Sequence, residues 1–342
     1  MVNRLYQDIA QQPRAIRDLI AFYATGTGAA RLASLPTRAA PLLTGMGASF
    51  HAAQAIVPYF SSMHVPAIAI EATELLYYGR APLHERTALI FVSQSGASAE
   101  VAAILEELPA GHTLLAVTND PQSPLARHAQ VVLPILAGEE RDVATKTYLN
   151  SLATLWLLAR RWCGAWSGDE AQMLLRVADA YERLLAESDQ IAARWLDALG
   201  DAELIVFAGH GPHAATARQA AMMLAERARV AAIGTSVGAF RHGPIEIVQP
   251  GVGVVIFAAP GRASDSAHAL AAELHGYGAR VLLVENGRTR DVGEPADPTA
   301  VVDEYLSPML DVIPAQLFAD ALAHQIGVAP GFRYISKVVT RL

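Results

Sequence analysis

The sequence predicts an α/β protein made of two tandem doubly wound parallel-sheet domains, flavodoxin-like and layered α/β/α, with an N-terminal helical arm. Three observations carry this. Short apolar runs bounded by turn residues alternate with helix-forming segments, the signature of a parallel sheet covered on both faces. The strand-and-turn signatures of the first half recur in the second half at nearly one offset, which marks a duplication. The chain of 342 residues is also too long for one small core and long enough for two such domains. We place the boundary at 165/166: residues 1–165 hold the helical arm and first domain, 166–342 the linker helix and second domain.

In chain order, Leu5, Ile9, Ile16, Leu19, Ile20 and Tyr23 fall at helical spacing, and Pro13 can start a second helical segment. After the turn at Leu35-Pro36-Thr37, residues 40–49 read as a short strand, a glycine turn at Gly45 and Gly47, and a helix start. Such a Gly-x-Gly serves packing as often as a ligand. Further strands are expected at 67–70, 88–92, 113–117 and 131–135. A helical linker follows over 148–162 and 170–187, broken at 164–168. In the second half, 204–212 matches the turn at Gly45, 253–261 matches the strand before Ser93, and 280–286 matches 113–119.

The run Ser93-Gln94-Ser95-Gly96-Ala97-Ser98 sits where strand 88–92 gives way to a helix over 99–108. Backbone N–H groups at a helix start carry partial positive charge, glycine permits close approach, and the serines add hydroxyl donors. On its own this turn is equally a capped helix with no ligand. The matching turn of the second copy reads Ala259-Pro260-Gly261-Arg262 and lacks the hydroxyls, so the anion site is assigned to the first copy.

Composition excludes several classes. The net charge of −7 comes with no basic stripe, which argues against a nucleic-acid partner. No apolar run has membrane-spanning length and the start lacks a signal pattern, so the expectation is a soluble cytoplasmic protein with no membrane partner. The single cysteine, Cys163, has no disulfide partner and follows an apolar run, so it reads as a buried thiol. His210 and His213 flank Gly211-Pro212 without a carboxylate or cysteine cluster, and no metal site is expected. Neither glycine turn has dinucleotide spacing, and no cofactor is expected.

These features sit beside specific motifs: Asp8-Ile9-Ala10-Gln11-Gln12-Pro13, Gly47-Ala48-Ser49, Ser93-Gln94-Ser95-Gly96, and Glu140-Arg141-Asp142-Val143-Ala144-Thr145-Lys146-Thr147. Phe240-Arg241-His242-Gly243-Pro244 and the closing Ser336-Lys337-Val338-Val339-Thr340 complete the set. Over nearly its whole length the chain resembles the sugar isomerase (SIS) family. The nearest likeness is to the isomerase half of glucosamine-6-phosphate synthase and to stand-alone deaminases and deglycases of phosphorylated amino sugars. The resemblance implies that Gly47, Ser49, Ser93, Gln94, Ser95, Ser98, Val143, Ala144 and Thr145 bind a sugar phosphate. It implies that Glu226 moves a proton between C1 and C2, a task suited to a desolvated carboxylate. It assigns ring opening to His242, supplied across a homodimer interface, and ring-opening or imine chemistry to Lys337. Taken singly, these three read as a surface glutamate, a turn residue and a solvated charge.

Two departures stand out. The family's lysine one turn before the catalytic glutamate is Met223 here, and the segment Val143-Ala144-Thr145-Lys146 is one residue shorter than in the synthase. The chain also opens at Met1-Val2 directly before the matching region, without the synthase's glutamine-hydrolysing part. The expectation is therefore the amine-releasing direction, or use of free ammonia: a glucosamine-6-phosphate deaminase/isomerase-like enzyme, with a fructosamine-6-phosphate deglycase as one alternative. A non-catalytic phosphosugar sensor is the other. No basic helix-turn-helix precedes Gln7, which disfavours a DNA-binding regulator.

Overall fold

A computed structural model of the chain describes residues 4–294 and 302–340. It divides into two compact units, and the ends of the chain are exchanged between them. Gln11–Leu175 fold together with the tail from Phe332, whereas the leading helix α1 (Arg4–Ala10) belongs with Arg176–Gly331. The division at 175/176 lies ten residues beyond the expected 165/166, within the helix that follows the linker break. The predicted helical arm is accordingly split, because the chain breaks between α1 and α2 (Gln12–Ala24), where Pro13 occupies the first turn.

The unit containing Gln11–Leu175 is built on a parallel sheet of β1 (Ala40–Gly45), β2 (Ile68–Glu71), β3 (Thr87–Val92), β4 (Thr113–Thr118) and β5 (Val131–Pro134), in the order β2-β1-β3-β4-β5. This is the doubly wound order in which the direction of winding reverses between β1 and β3. All six residues of β3 are buried, as expected for a central strand covered on both faces. Leu42, Leu89, Phe91, Leu114 and Ala116 pack against Leu75, Val101, Ile104 and Leu125 of the covering helices. These helices are α3 (Gly26–Ala33), α4 (Gly47–Ser62), α5 (Ala72–Tyr77), α6 (Ala99–Glu107), α7 (Pro124–His128) and α8 (Lys146–Trp162). Helix α8 is buried nearly all round, and Asn150 Nδ2 ties it to its surroundings by donating to the carbonyls of Ala15 and Ile135 at 3.1 and 2.7 Å.

From α9 (Glu170–Ala186), which crosses the division, the chain passes into the other unit through α10 (Ser188–Leu199). Its sheet contains β6 (Leu204–Gly209), β7 (Ala232–Ser236), β8 (Val252–Phe257), β9 (Arg280–Glu285) and β10 (Arg288–Asp291), in the order β10-β9-β8-β6-β7. The topology repeats that of the first sheet, with one difference from the expected all-parallel form: β10 returns antiparallel to β9. The turn Asn286-Gly287 permits this, since both residues have positive φ. Helices α11 (Pro212–Arg227), α12 (Val237–Arg241), α13 (Ser264–Gly276) and α14 (Pro308–Gln325) complete the unit.

Candidate functional site

In the first sheet the turns after β1 and β3 lie side by side, because these strands are paired neighbours whose register runs from Ala40 opposite Thr87 to Thr44 opposite Phe91. Their closeness explains Gly45, where a Cβ would stand 2.8 Å from the Val92 carbonyl oxygen. Ligands of doubly wound sheets bind beyond the strand ends at such a winding reversal. Gly47, at φ +49°, opens α4 with no side-chain cap on its first turn, and Ser49 lies half-buried in that turn.

The second turn is folded on its own hydroxyls. Ser93 Oγ accepts the Gly96 N–H at 3.1 Å, Ser95 Oγ accepts that of Ala97 at 3.3 Å, and Ser98 Oγ caps α6 by accepting that of Val101 at 3.5 Å. A hydroxyl that accepts in this way keeps its own proton to donate. The oxygens thus shape the backbone while each hydroxyl keeps a proton free to donate. Gly96 makes this possible, with φ +58° and a position where a Cβ would overlap Ser123 Oγ. Gln94 accepts through its carbonyl from Asn119 N–H at 3.1 Å, which fixes the turn to the end of β4.

Beside this turn lies the loop 139–147, organised by one buried carboxylate. Glu140 Oε1 accepts Thr145 N–H at 2.8 Å, Thr145 Oγ1–H at 3.0 Å and Thr147 N–H at 3.1 Å, while Oε2 accepts Thr147 Oγ1–H at 2.6 Å. Lys337 of the tail donates to the same Oε2 at 2.8 Å and to the Asp142 carbonyl. Burial pushes the Glu140 carboxyl upward, but the Lys337 ammonium beside it and the hydrogen bonds from Lys337, Thr147 and Thr145 outweigh this and hold it below the usual range. The tail is fixed a second time where Val339 O accepts Ala99 N–H at 3.1 Å, in the first turn of α6. Lys337 therefore stands on the same unit as the hydroxyl turn, tied to the loop and to its helix.

The side chains of Val143 and Thr145 are buried, and the Thr145 hydroxyl is committed to Glu140. Backbone is what these two positions can offer a ligand; Ala144 between them is half-buried. Glu226 and His242 belong to the other unit. Glu226 is half-buried near the end of α11 and His242 is exposed just after α12. Next to Glu226, Arg227 is buried and donates through Nε and Nη2 to Asp320 Oδ1 at 3.0 and 2.9 Å. Met223, where the family pattern has lysine, is fully buried.

The corresponding turn of the second sheet carries a carboxylate of the chain itself. Glu304 Oε2 accepts the Arg262 N–H at 3.2 Å, in the turn that had lost its hydroxyls. His213 is buried against Phe257 and bonds Asp311 through Nε2 at 2.6 Å, while Asp311 also accepts Gly287 N–H at 2.6 Å. Burial holds the Asp311 carboxyl above its usual range despite His213. His210 bonds Ser266 instead at 3.0 Å. Among the described residues no group of three or more His, Cys, Asp or Glu could hold a metal. Cys163 closes α8 half-buried, and burial pushes its thiol up to about 11.

The sequence pattern does not single out Glu140 as the organiser of this loop. Its one signal is its place in the quoted motif, three residues before Val143. No helix among the described residues is long and apolar enough to cross a membrane.

Two repeated doubly wound sheets, one with a hydroxyl-lined turn at the winding reversal, define a class of two-domain α/β proteins. Comparison with known proteins names the family. The SIS domain model matches residues 41–161 and 198–324, and the chain belongs to the SIS domain family. The chain is 29% identical over 98% of its length to the glutamine–fructose-6-phosphate aminotransferase [isomerizing] of Methanothermobacter thermautotrophicus. It is 31% identical, again over 98%, to the enzyme of that name from Pyrococcus horikoshii. It spans 57% of the length of each. Among solved structures, the C-terminal domain of glucosamine-fructose-6-phosphate aminotransferase from Francisella tularensis aligns with TM-score 0.84 at 19% identity, covering 97% of this chain and 98% of that one. Glucosamine-6-phosphate deaminase from Thermotoga maritima aligns with TM-score 0.79 at 21% identity, covering 99% and 100%.

Proposed function

We propose that this chain is a phosphosugar isomerase acting on an amino- or amine-substituted sugar phosphate, releasing ammonia or amine and leaving a ketose or aldose phosphate. The observation that carries this is the pairing, on one unit, of a turn whose hydroxyls keep protons to donate with an ammonium held by Glu140 on the tail that is tied to the helix after that turn. The first suits a phosphate monoester and the second a sugar oxygen. Sequence relatives and fold neighbours whose names refer to hexose 6-phosphates and glucosamine 6-phosphate support the reading.

In this proposal Ser49, Ser93, Gln94, Ser95 and Ser98 hold the phosphate. His242, contributed within a homodimer, opens the ring. Glu226 takes the proton from C2 of the open-chain amino aldose and returns it to C1, so that the nitrogen becomes a C2 imine; water then adds and ammonia leaves. A carboxylate base suits this because it needs no metal to shift one proton between adjacent carbons. The test is ammonia or amine release from glucosamine 6-phosphate and from fructosamine 6-phosphates; no turnover of any of them sinks the enzyme reading.

A second reading, a phosphosugar sensor, is favoured by one observation: Met223 places a buried apolar group where the family pattern has an ammonium one turn from Glu226. If the wild type binds sugar phosphates in calorimetry but turns none over, and Glu226→Gln binds equally well, the sensor reading stands.

A further inference from the structure

The turns after β3 and β8 correspond residue by residue. Residues 93–98 separate β3 from α6 and residues 258–263 separate β8 from α13, six in each case. Gly261 therefore stands where Gly96 does, Arg262 where Ala97 does, and Ala263 where Ser98 caps α6. In the first turn the Ser95 hydroxyl accepts the Ala97 N–H at 3.3 Å. The counterpart of Ser95 is Pro260, which has no hydroxyl, and the Arg262 N–H goes instead to the Glu304 carboxylate, 42 residues further on, at 3.2 Å. Helix α13 also starts without a side-chain cap, so its first amides and the positive end of its dipole face that carboxylate with no hydroxyl of the turn to meet them.

Glu304 is held at this point from the neighbouring strand end. Its carbonyl accepts the Ser307 hydroxyl at 3.2 Å, and that hydroxyl lies 3.3 Å from Nε2 of buried His213, in the first turn of α11 after β6. Strands β6 and β8 are the paired neighbours between which the winding of the second sheet reverses. Glu304 thus bridges the two strand ends at which an open α/β sheet takes its ligand. The cavity left there, lined by His210, His213, Phe257, Ser264 and Glu304, measures about 30 Å³, far below the roughly 300 Å³ at which ligand pockets begin. Gly261 fits the same occupant. A Cβ at that position would stand 2.2 Å from Glu304 Oε2 and 3.0 Å from its Cβ and Cδ, and since the φ of Gly261 is not positive, close approach rather than backbone conformation calls for glycine.

We propose that Glu304 is the resident anion of the second copy: its carboxylate fills the winding reversal of the second sheet and closes that site to external oxyanions. The Arg262 N–H and the uncapped start of α13 are the groups that hold it, with the Glu304 side chain only 24% exposed. The Arg262 guanidinium, 4.0 Å from Oε1 and itself 79% exposed, adds little. The duplicated sheet therefore keeps the geometry of an anion site in both copies and supplies the anion itself in one of them. Nothing in this depends on what the first copy binds.

Chemical rescue at a single amide tests it. Deuterium exchange of the Arg262 N–H is followed in the full chain, resolved to that residue by fragmentation of its peptic peptide and corrected for intrinsic rate. In wild type it is expected to be slow and unchanged by millimolar acetate or inorganic phosphate. Glu304→Ala, which removes the carboxylate and opens the site, is expected to exchange at least about tenfold faster. Acetate or phosphate, compared with chloride at equal ionic strength, then slows the variant by mass action to within about threefold of wild type. Glu304→Ser carries the same expectations if Glu304→Ala does not fold. Slowing of the wild-type amide by either anion would mean that the site is open with Glu304 in place. Fast exchange in the variant that neither anion slows would leave Glu304 a hydrogen-bond acceptor with no anion site around it. Either result, or equal exchange in wild type and variant, overturns the proposal.

Discussion

Glu140 and Lys337 meet at 2.8 Å across 197 residues of sequence, and that single ion pair joins the tail to the loop beside the hydroxyl turn. Its pH dependence has a definite sign. The Glu140 carboxyl lies below its ordinary value of 4.5 in the folded chain. Its contribution is therefore fully present above the unfolded value and is lost as the pH falls through the lower, folded value. Deuterium exchange at the Ala99 amide, whose partner is the Val339 carbonyl, is expected to stay protected through the neutral range and to accelerate only in acid below the ordinary carboxylate range, once corrected for intrinsic exchange. In Glu140→Gln that acid step disappears.

Gly96→Ala tests the hydroxyl turn. The residue has φ +58°, and an added Cβ would overlap the Ser123 hydroxyl that accepts Ala126 N–H at the start of α7. Strain and displacement together are expected to cost roughly 1–3 kcal/mol in urea denaturation. Phosphate affinity in calorimetry should fall as well, because the Ser93 Oγ contact with the Gly96 amide shapes the turn. A variant as stable as wild type with unchanged affinity would show that the turn is not held as described.

What could be read from the sequence followed from local period and turn chemistry. Strand β3 and the Ser93 turn were legible because a fully buried strand is an unbroken apolar run and a positive φ calls for glycine. The duplication exposed both sheets for the same reason. Strand β10 was not legible, since Arg-Thr-Arg-Asp has no apolar alternation and depends on the turn before it. Helix α14, buried on nearly every side, has no polar face to give it a helical period, and its Asp311, Gln316 and Asp320 interrupt the apolar run. The exchange of chain ends was invisible because a terminal segment's pattern says what it forms and not which unit it joins. Glu140 was hidden likewise: its partners Thr145 and Thr147 are near in sequence, but the cation that completes them is at the far end of the chain.

Arg227→Met tests the anchorage of the helix end that carries Glu226. The guanidinium and Asp320 are both buried, and removing Arg227 takes away the cation that donates twice to Asp320 Oδ1 and leaves His324 Nδ1 at 3.7 Å beside it. Loss of roughly 3–5 kcal/mol is expected, with a smaller loss when Asp320 is replaced by Leu in the same chain. Thermal or urea denaturation of the two single variants and the double variant checks this as a cycle; additive losses would mean that the pair is not coupled.

Met223→Lys restores the charge that the family pattern places one turn before Glu226, and the burial of Met223 sets what it should do. An ammonium at a fully buried position has its folded-state pKa pushed below the unfolded one, so the folded chain prefers the neutral amine. The deficit against wild type is then largest below the folded value and shrinks as the pH rises toward the unfolded lysine value of about 10.4. Met223→Leu, which keeps volume and polarity, is expected to cost less than about 1.5 kcal/mol. Denaturation at neutral and at alkaline pH separates the two variants: Met223→Lys should recover on alkalinisation and Met223→Leu should not change. If instead the lysine variant is as stable as wild type at neutral pH, the ammonium has found a partner, and the half-buried Glu226 at the next turn of α11 is the group placed to supply it. That outcome would make the site convertible to the family's usual charge pattern by one substitution, and the rate of sugar-phosphate isomerisation in that variant would measure how much the missing ammonium contributes.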